Sequence, residues 1–324
     1  MLTRADEQEL AKYRSRLAGA SRRVRKRVRG IHVVLPGAGR PDPLIAFVHI
    51  PKTAGGTVAS MFVAAYSKQA IHKAGNYLRG PEVARRKVAK AGTGWENWHR
   101  QGGRVTVGHM PYGLYRAHLP RNTSYMTFLR EPVDRVLSHY YRHIHRQDPR
   151  RAGRQKRKPG ARVKAESLEQ ALVDMKLPQL NNLCTRFLCG HDPLEELPDS
   201  ALEDAKENLR AFAFVGIQEH FDESLVLLQR MLGLGTVPYV DRHVSREGAR
   251  PGVDEISEAQ RALIEEHNRL DAELYVFGVA LFEQAVAKAG SGFRAEVEEL
   301  RARDRAAREQ EWLRTREAAD PRAQ

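Results

Sequence analysis

Cysteine is nearly missing from this chain: Cys184 and Cys189 are the only two among 324 residues. Two thiols cannot build a disulfide scaffold, no metal centre follows from them, and such sparse use fits a reducing compartment. Long apolar runs are missing as well. No stretch approaches the roughly 18 apolar residues that a membrane span requires, and the opening MLTRADEQELAKYR lacks the apolar centre of a signal peptide. These absences imply a soluble, cytoplasmic protein. No internal repeat is visible.

Basic residues, in contrast, are abundant. Lysine and arginine total 54 against 40 acids, a net charge of +14, and such an excess commonly marks a nucleic-acid, anionic-membrane or acidic-substrate partner. The excess is concentrated. Arg14 to Arg29 carries eight basic residues and no acid, and Arg142 to Lys164 carries ten against Asp148 alone. Outside these two segments acids slightly outnumber bases, so the body of the fold is not a basic surface. A hydrophobic content of 41% in a chain of this length supplies a core for one large domain or two small ones.

The chain divides into four parts. Residues 1–42 read as a basic arm closed by the helix-breaking linker GAGRPDP. Residues 43–290 form the main domain, interrupted at 146–166 by a glycine-, proline- and charge-rich stretch that reads as a mobile basic loop. Residues 291–324 read as a charged, solvated terminal helix. Within the main domain LIAFVHI is almost wholly apolar and β-branched, the signature of a strand buried on both faces. Similar runs recur at RVTVG (104–108), SYMTFL (124–129) and AFAFVGI (211–217). TVASMFVAAYSKQA reads as a helix, as does EPVDRVLSHYYRHI with Pro132 in its first turn. Ser257 with Gln260 has the capping-box spacing and opens a long helix through NRLDAELYVFGVALFEQAVAKAG. Strands alternating with helices predict an α/β fold with a mostly parallel central sheet flanked by helices in three layers.

The stretch FVHIPKTAGGT sets the chemistry. A glycine-rich turn from a strand into a helix offers backbone N–H groups and the positive end of the helix dipole to phosphate-like oxygens. The nucleoside-triphosphate loop needs G-x-x-x-x-G-K-[ST]; here Lys52 precedes Gly55 instead. A second departure follows SYMTFL. That strand leads into Arg130 where a metal-dependent nucleotide enzyme is expected to carry an aspartate. An arginine repels a metal and attracts another phosphate, so the two loops together suit a nucleotide with anionic groups at both ends and no metal between them.

HIPKTAGGT resembles the 5′-phosphosulfate loop of the sulfotransferases that use 3′-phosphoadenosine 5′-phosphosulfate (PAPS). LREPVDRVLSHYY resembles their 3′-phosphate motif, in the form of the heparan sulfate 2-O-sulfotransferase relatives and their bacterial counterparts. GHMPYGLY, NLCTRFLCG, VGIQEHFDESLVLL and NRLDAELY also look like the bacterial branch, and the resemblance runs from about Leu44 to Glu283. It implies a P-loop-like fold, PAPS as donor cosubstrate, no metal, and a hydroxyl acceptor on a carbohydrate or glycolipid. An amino-terminal anchor is expected in Golgi relatives; its absence here is read as favouring a bacterial, small-acceptor or lipid-linked role, with peripheral membrane contact through the basic arm left open.

The resemblance also distributes roles. Lys52 is expected at the bridging oxygen of the donor, where charge develops on the leaving phosphate. Thr53, Gly55, Gly56 and Thr57 would give N–H groups and hydroxyls to the 5′-phosphate, glycine allowing close approach. Arg130, through a two-pronged contact, and Ser138 would take the 3′-phosphate, and Arg246 in HVSREGARP would belong to a loop over the nucleotide. His109, directly after a strand, is the candidate general base, although the heparan branch often has a second histidine nearby that VGHMP lacks. The bland alternatives are an exposed lysine, a structural ion pair for Arg130, a surface position for Ser138 and a structural histidine. His49 reads as support for the strand end, Trp95 and Trp98 as packing anchors or sugar platforms, and both cysteines as ordinary thiols. The basic loop admits three readings: a solvated insertion, a grip on an anionic glycan, or contact with lipid headgroups. Two rival functions follow from the residues themselves, a P-loop nucleotide kinase and a nucleic-acid-binding protein. The first lacks G-K-[ST], and the second lacks an aromatic RNA motif or recognition helix.

Overall fold

The structure is a computed structural model and describes residues 43–92, 94–145, 167–173, 178–234 and 251–317. The basic arm, the basic loop and Arg246 lie outside the described residues.

Its elements alternate as the pattern of apolar runs predicts. In chain order they are β1 (Ile45–Val48), α1 (Gly55–Ala65), β2 (Ile71–Asn76), α2 (Pro81–Gly92), α3 (Trp95–Arg100), β3 (Val105–His109), α4 (Tyr112–His118), β4 (Ser124–Leu129) and α5 (Pro132–His145). There follow α6 (Leu168–Val173), α7 (Leu183–Leu188), α8 (Ala201–Ala211), β5 (Phe214–Ile217), α9 (Phe221–Met231), α10 (Glu258–His267), α11 (Arg269–Lys288) and α12 (Phe293–Glu317). The five strands form one sheet in the order β2-β3-β1-β4-β5, with every pairing parallel.

Alternation along β1 explains why its sequence is apolar throughout. Ile45 and Phe47 point into one layer, against Val58, Met61 and Phe62 of α1 and Leu225 and Leu228 of α9. Ala46 and Val48 point into the other, against α2, α4, α7, α8 and α11. A strand covered on both faces has no polar side to show. The three-layer α/β architecture expected from sequence is therefore the architecture observed.

The departures have local causes. β2, with the sequence IHKAGN, is an edge strand with Lys73 and Gly75 exposed, so it has no continuous apolar run to announce it. Its register shifts between Lys73 and Gly75, where Gly75 takes φ +105 and its carbonyl comes so near Gly108 that a Cβ there would sit 2.8 Å away. The long helix expected after Ser257 is two helices. Its capping box forms as predicted, with both reciprocal hydrogen bonds present, but the chain breaks at Asn268, which leaves helical geometry at φ −125, ψ 28. α12 is less solvated than its sequence implies: Phe293, Val297 and Leu300 are buried against the α9 layer, and Arg301 pairs with Asp222 and Glu223 at 2.9 and 3.0 Å.

Candidate active site

The carboxyl ends of β1, β3 and β4 lie side by side at the middle of the sheet, since Val48 pairs with Gly108 on one side and Thr127 on the other. The chain leaves β1 toward β2 and later crosses to β4, so strand order reverses here. In open parallel sheets this crevice is where ligands bind. Three candidate segments open from it: the loop ending at Gly56, the β3 end with His109, and Arg130 after β4.

The first loop is strained. Lys52 and Ala54 both adopt left-handed backbone, φ 74 and φ 61, a conformation that costs a side-chain-bearing residue about 1–2 kcal/mol. Ala54 stands at the N-cap of α1 with no side-chain cap. Its carbonyl accepts from the N–H groups of Thr57 and Val58 at 3.0 and 3.4 Å. The N–H groups of Gly55 and Gly56 have no acceptor among the described residues, and they belong to the helix end where the dipole is positive. Thr53 is fully buried and its hydroxyl donates to the Ile50 carbonyl at 2.9 Å. That hydroxyl ties the turn from inside to the chain just past the end of β1. Thr57 is also buried.

Arg130 joins the second loop to the first. It is 8% exposed; its Nη1 donates to the Lys52 carbonyl at 3.1 Å, and its Nε and Nη2 donate to Asp134 Oδ2 at 2.8 and 2.5 Å. The guanidinium fork thus clamps the left-handed peptide of Lys52. Ser138 lies one turn beyond Asp134 and is buried at 6% exposure. Glu131 caps the start of α5 by accepting from the N–H groups of Val133 and Asp134 at 3.1 and 2.7 Å. Burial pushes its carboxyl above the usual carboxylate range.

His109 ends β3, half-buried. Its Nδ1 lies 2.8 Å from the carbonyl of His49. A carbonyl only accepts, so Nδ1 carries the proton and Nε2 keeps the lone pair. Burial lowers its pKa below the ordinary 6.5; the bond to His49 acts the other way, and the Arg79 and Arg142 charges lower it further. A neutral imidazole with a fixed tautomer at a sheet's carboxyl end is equipped to accept a proton. A second histidine lies beside it in space: the His49 ring is 4.1 Å from that of His109, centroid to centroid.

Other sequence candidates fall away from this crevice. Trp95 is buried, edge-on to Trp98 at 5.5 Å and to His72 at 4.7 Å, and Trp98 donates to the Gln69 carbonyl; both are packing anchors. Cys184 and Cys189 are unbridged and buried, and burial pushes both thiols up. Among the described residues no group of three or more histidine, cysteine, aspartate or glutamate side chains is placed to hold a metal ion, and no helix is long and apolar enough to cross a membrane.

One cluster went unassigned in the sequence. Asp271 is 1% exposed and accepts from the N–H groups of Cys184 and Thr185 and from the Thr185 hydroxyl, at 2.9, 2.8 and 2.9 Å. Arg135, wholly buried, lies 3.9 Å from it and donates to the Gln179 carbonyl and to Asn268 Oδ1. Asn268 in turn donates to the carbonyls of Leu180 and Ile264. The motifs LREPVDRVLS, NLCTRF and NRLD therefore meet in one buried polar hub. No feature of the sequence announces the hub, because its members stand in three motifs far apart in the chain.

A family model described as galactose-3-O-sulfotransferase matches residues 11–320. The chain belongs to that family. It is similar to heparan-sulfate 6-O-sulfotransferase 1 of Cricetulus griseus, with 32% identity over 189 residues covering 51% of this chain and 46% of the relative. The Homo sapiens enzyme of that name gives 31% over 189 residues, 51% and 44%. Heparan-sulfate 6-O-sulfotransferase 2 of Gallus gallus gives 26% over 283 residues, 75% and 68%. The chain spans less than half the length of the first of these relatives. The carbohydrate-sulfotransferase class inferred from the motifs is upheld. The relatives are of the 6-O type, and neither the 2-O type nor a bacterial origin finds support in them.

Proposed function

We propose that this chain moves the sulfuryl group of PAPS to a hydroxyl of a carbohydrate or glycolipid acceptor, in line and without a metal. The observation that carries the reading is the meeting of three parts in one crevice: the strained loop of Lys52, the Arg130 fork that touches it, and a histidine whose basic nitrogen is fixed by the His49 carbonyl. These residues suit a donor that is anionic at both ends. In this reading Thr53, Gly55, Gly56 and Thr57 serve the 5′-phosphate, chiefly through backbone N–H groups since the Thr53 hydroxyl is spent on the Ile50 carbonyl, Arg130 and Ser138 serve the 3′-phosphate, and Arg246 belongs to a loop over the nucleotide.

The donor supplies an activated sulfuryl group. His109 Nε2 takes the proton of the acceptor hydroxyl as its oxygen attacks sulfur. Lys52 stabilises the negative charge that gathers on the departing phosphate oxygen, where a well-aimed donor is worth the most. Positioning and electrostatics dominate, as in phosphoryl transfer. A cytoplasmic setting belongs to the same reading, supported by two unbridged, buried thiols. The test is transfer of labelled sulfate from PAPS to a panel of oligosaccharides and glycolipids, with EDTA present. Acceptor-dependent transfer that His109→Ala abolishes supports the reading; no transfer to any hydroxyl, or magnesium-dependent ATP turnover, contradicts it.

A further inference from the structure

Between the donor loop and the base lies His49, which the motif reading treats only as support for a strand end. Its imidazole stacks on Phe47, with centroids 5.5 Å apart and planes 10° from parallel, and it also meets the His109 ring at 4.1 Å, tilted by 39°. The ring also meets Gly55. A Cβ built there would lie 1.9 Å from His49 Cδ2 and 2.1 Å from Nε2, so the ring rests on the backbone of the first residue of α1. The main chain of His49 does further work: its N–H donates to the Gly108 carbonyl at 3.3 Å, and its carbonyl accepts the hydrogen bond from His109 Nδ1.

We infer that His49 is a positioning residue: its ring is the wedge that sets the distance between the donor loop and His109 and keeps water from the inner face of the base. The inference rests on the reading of His109 as that base. A glycine at position 55 is then required by the ring above it as much as by any ligand. The charged groups acting on His109 are Arg79, in the turn after β2, and Arg142 on α5, and both disfavour the imidazolium, while burial is the larger cause. Removing the wedge admits water, relieves the larger cause and leaves the arginines in place.

The test begins with histidine-ring titration by NMR on the full chain, with the His109 signal assigned through His109→Asn. His49→Ala is expected to raise the His109 midpoint by about half a pH unit or more as desolvation is relieved. His49→Leu, which refills the space without an imidazole, is expected to keep it near the wild-type value. Labelled-sulfate transfer should show the same contrast: a kcat loss of about tenfold to a hundredfold for His49→Ala, as expected for a displaced reacting group, a smaller change in donor KM, and most activity retained by His49→Leu. A second arm needs no turnover. Gly55→Ala should lower the melting temperature, and adding His49→Ala should restore part of the loss, a non-additivity that only direct contact gives. An unmoved His109 midpoint in His49→Ala, a His49→Leu as impaired as His49→Ala, or a double variant melting no higher than Gly55→Ala would each overturn the wedge. Absence of transfer by the wild type would instead sink the functional reading and leave the titration and melting arms to decide this one.

Discussion

Arg130 and Arg135 come from one short motif, yet they end in opposite surroundings. Arg130 stands at the rim of the crevice, its fork shared between Asp134 and the carbonyl of a strained loop. Arg135 has no exposed surface and lies within a hub that joins α5, α7, α10 and α11. At the rim the guanidinium braces a left-handed loop, and in the hub it has no exposed surface and donates to the Gln179 carbonyl and Asn268 beside the Asp271 carboxylate. A buried charge among internal partners holds a fold; the one that braces a strained loop at the carboxyl ends of the strands is the one that the proposed function assigns to the donor.

That difference gives its own tests. The largest expected effect is in the hub. Asp271→Ala leaves the Arg135 guanidinium without its carboxylate and the start of α7 without its cap, and breaking such a buried pair costs about 3–5 kcal/mol. Denaturant unfolding should show the loss, with activity falling only as the folded fraction falls. Lys52→Ala should do the reverse. Transfer should drop by about a hundredfold to a thousandfold, the usual range for removing one donor at a developing charge, while the unfolding curve stays in place. A Lys52→Ala that unfolds, or an Asp271→Ala that is fully stable, would break the comparison.

A pH profile sharpens it further. Because burial holds the His109 pKa below 6.5, the neutral base persists into mildly acid solution, and the acid limb of kcat/KM should fall below that value. The same shift has a stability consequence. A histidine that resists protonation when folded contributes stability above its unfolded pKa and loses it as pH falls through the folded value. A limb centred above 6.5 would remove His109 from the base role. The smallest effect belongs to Ala54. Ala54→Gly relieves a left-handed side-chain residue and should stabilise the chain by about 0.5–1 kcal/mol, less what glycine's freedom costs the unfolded state.

Much of the fold was legible because parallel strands buried on both faces write themselves as apolar runs: β1, β4 and β5 each lie within one, and β3 outruns its own only by His109. β2 was hidden because an edge strand with Lys73 and Gly75 exposed has no such run, and the break at Asn268 because an asparagine within a helical pattern looks like a surface position. While the proposed roles of Lys52, Arg130 and His109 rest on the family resemblance, their place at or just after the ends of β1, β4 and β3 was legible from the apolar runs that precede them. The inward hydroxyl of Thr53, the grip of Arg130 on the Lys52 carbonyl and the His49 ring over Gly55 were not, since each depends on which way a side chain turns. The hub was invisible for the same reason, its members standing in three motifs far apart in sequence.

The central claim is that the Lys52 loop and Arg130 hold opposite ends of one donor. Titration calorimetry of adenosine 3′,5′-bisphosphate, AMP and ATP, without magnesium, addresses it most directly, using wild type and Arg130→Ala. The account predicts that the bisphosphate binds far more tightly than AMP or ATP, and that Arg130→Ala erases its advantage over AMP. Equal binding of bisphosphate and AMP by the wild type, or stronger binding of ATP, would contradict it.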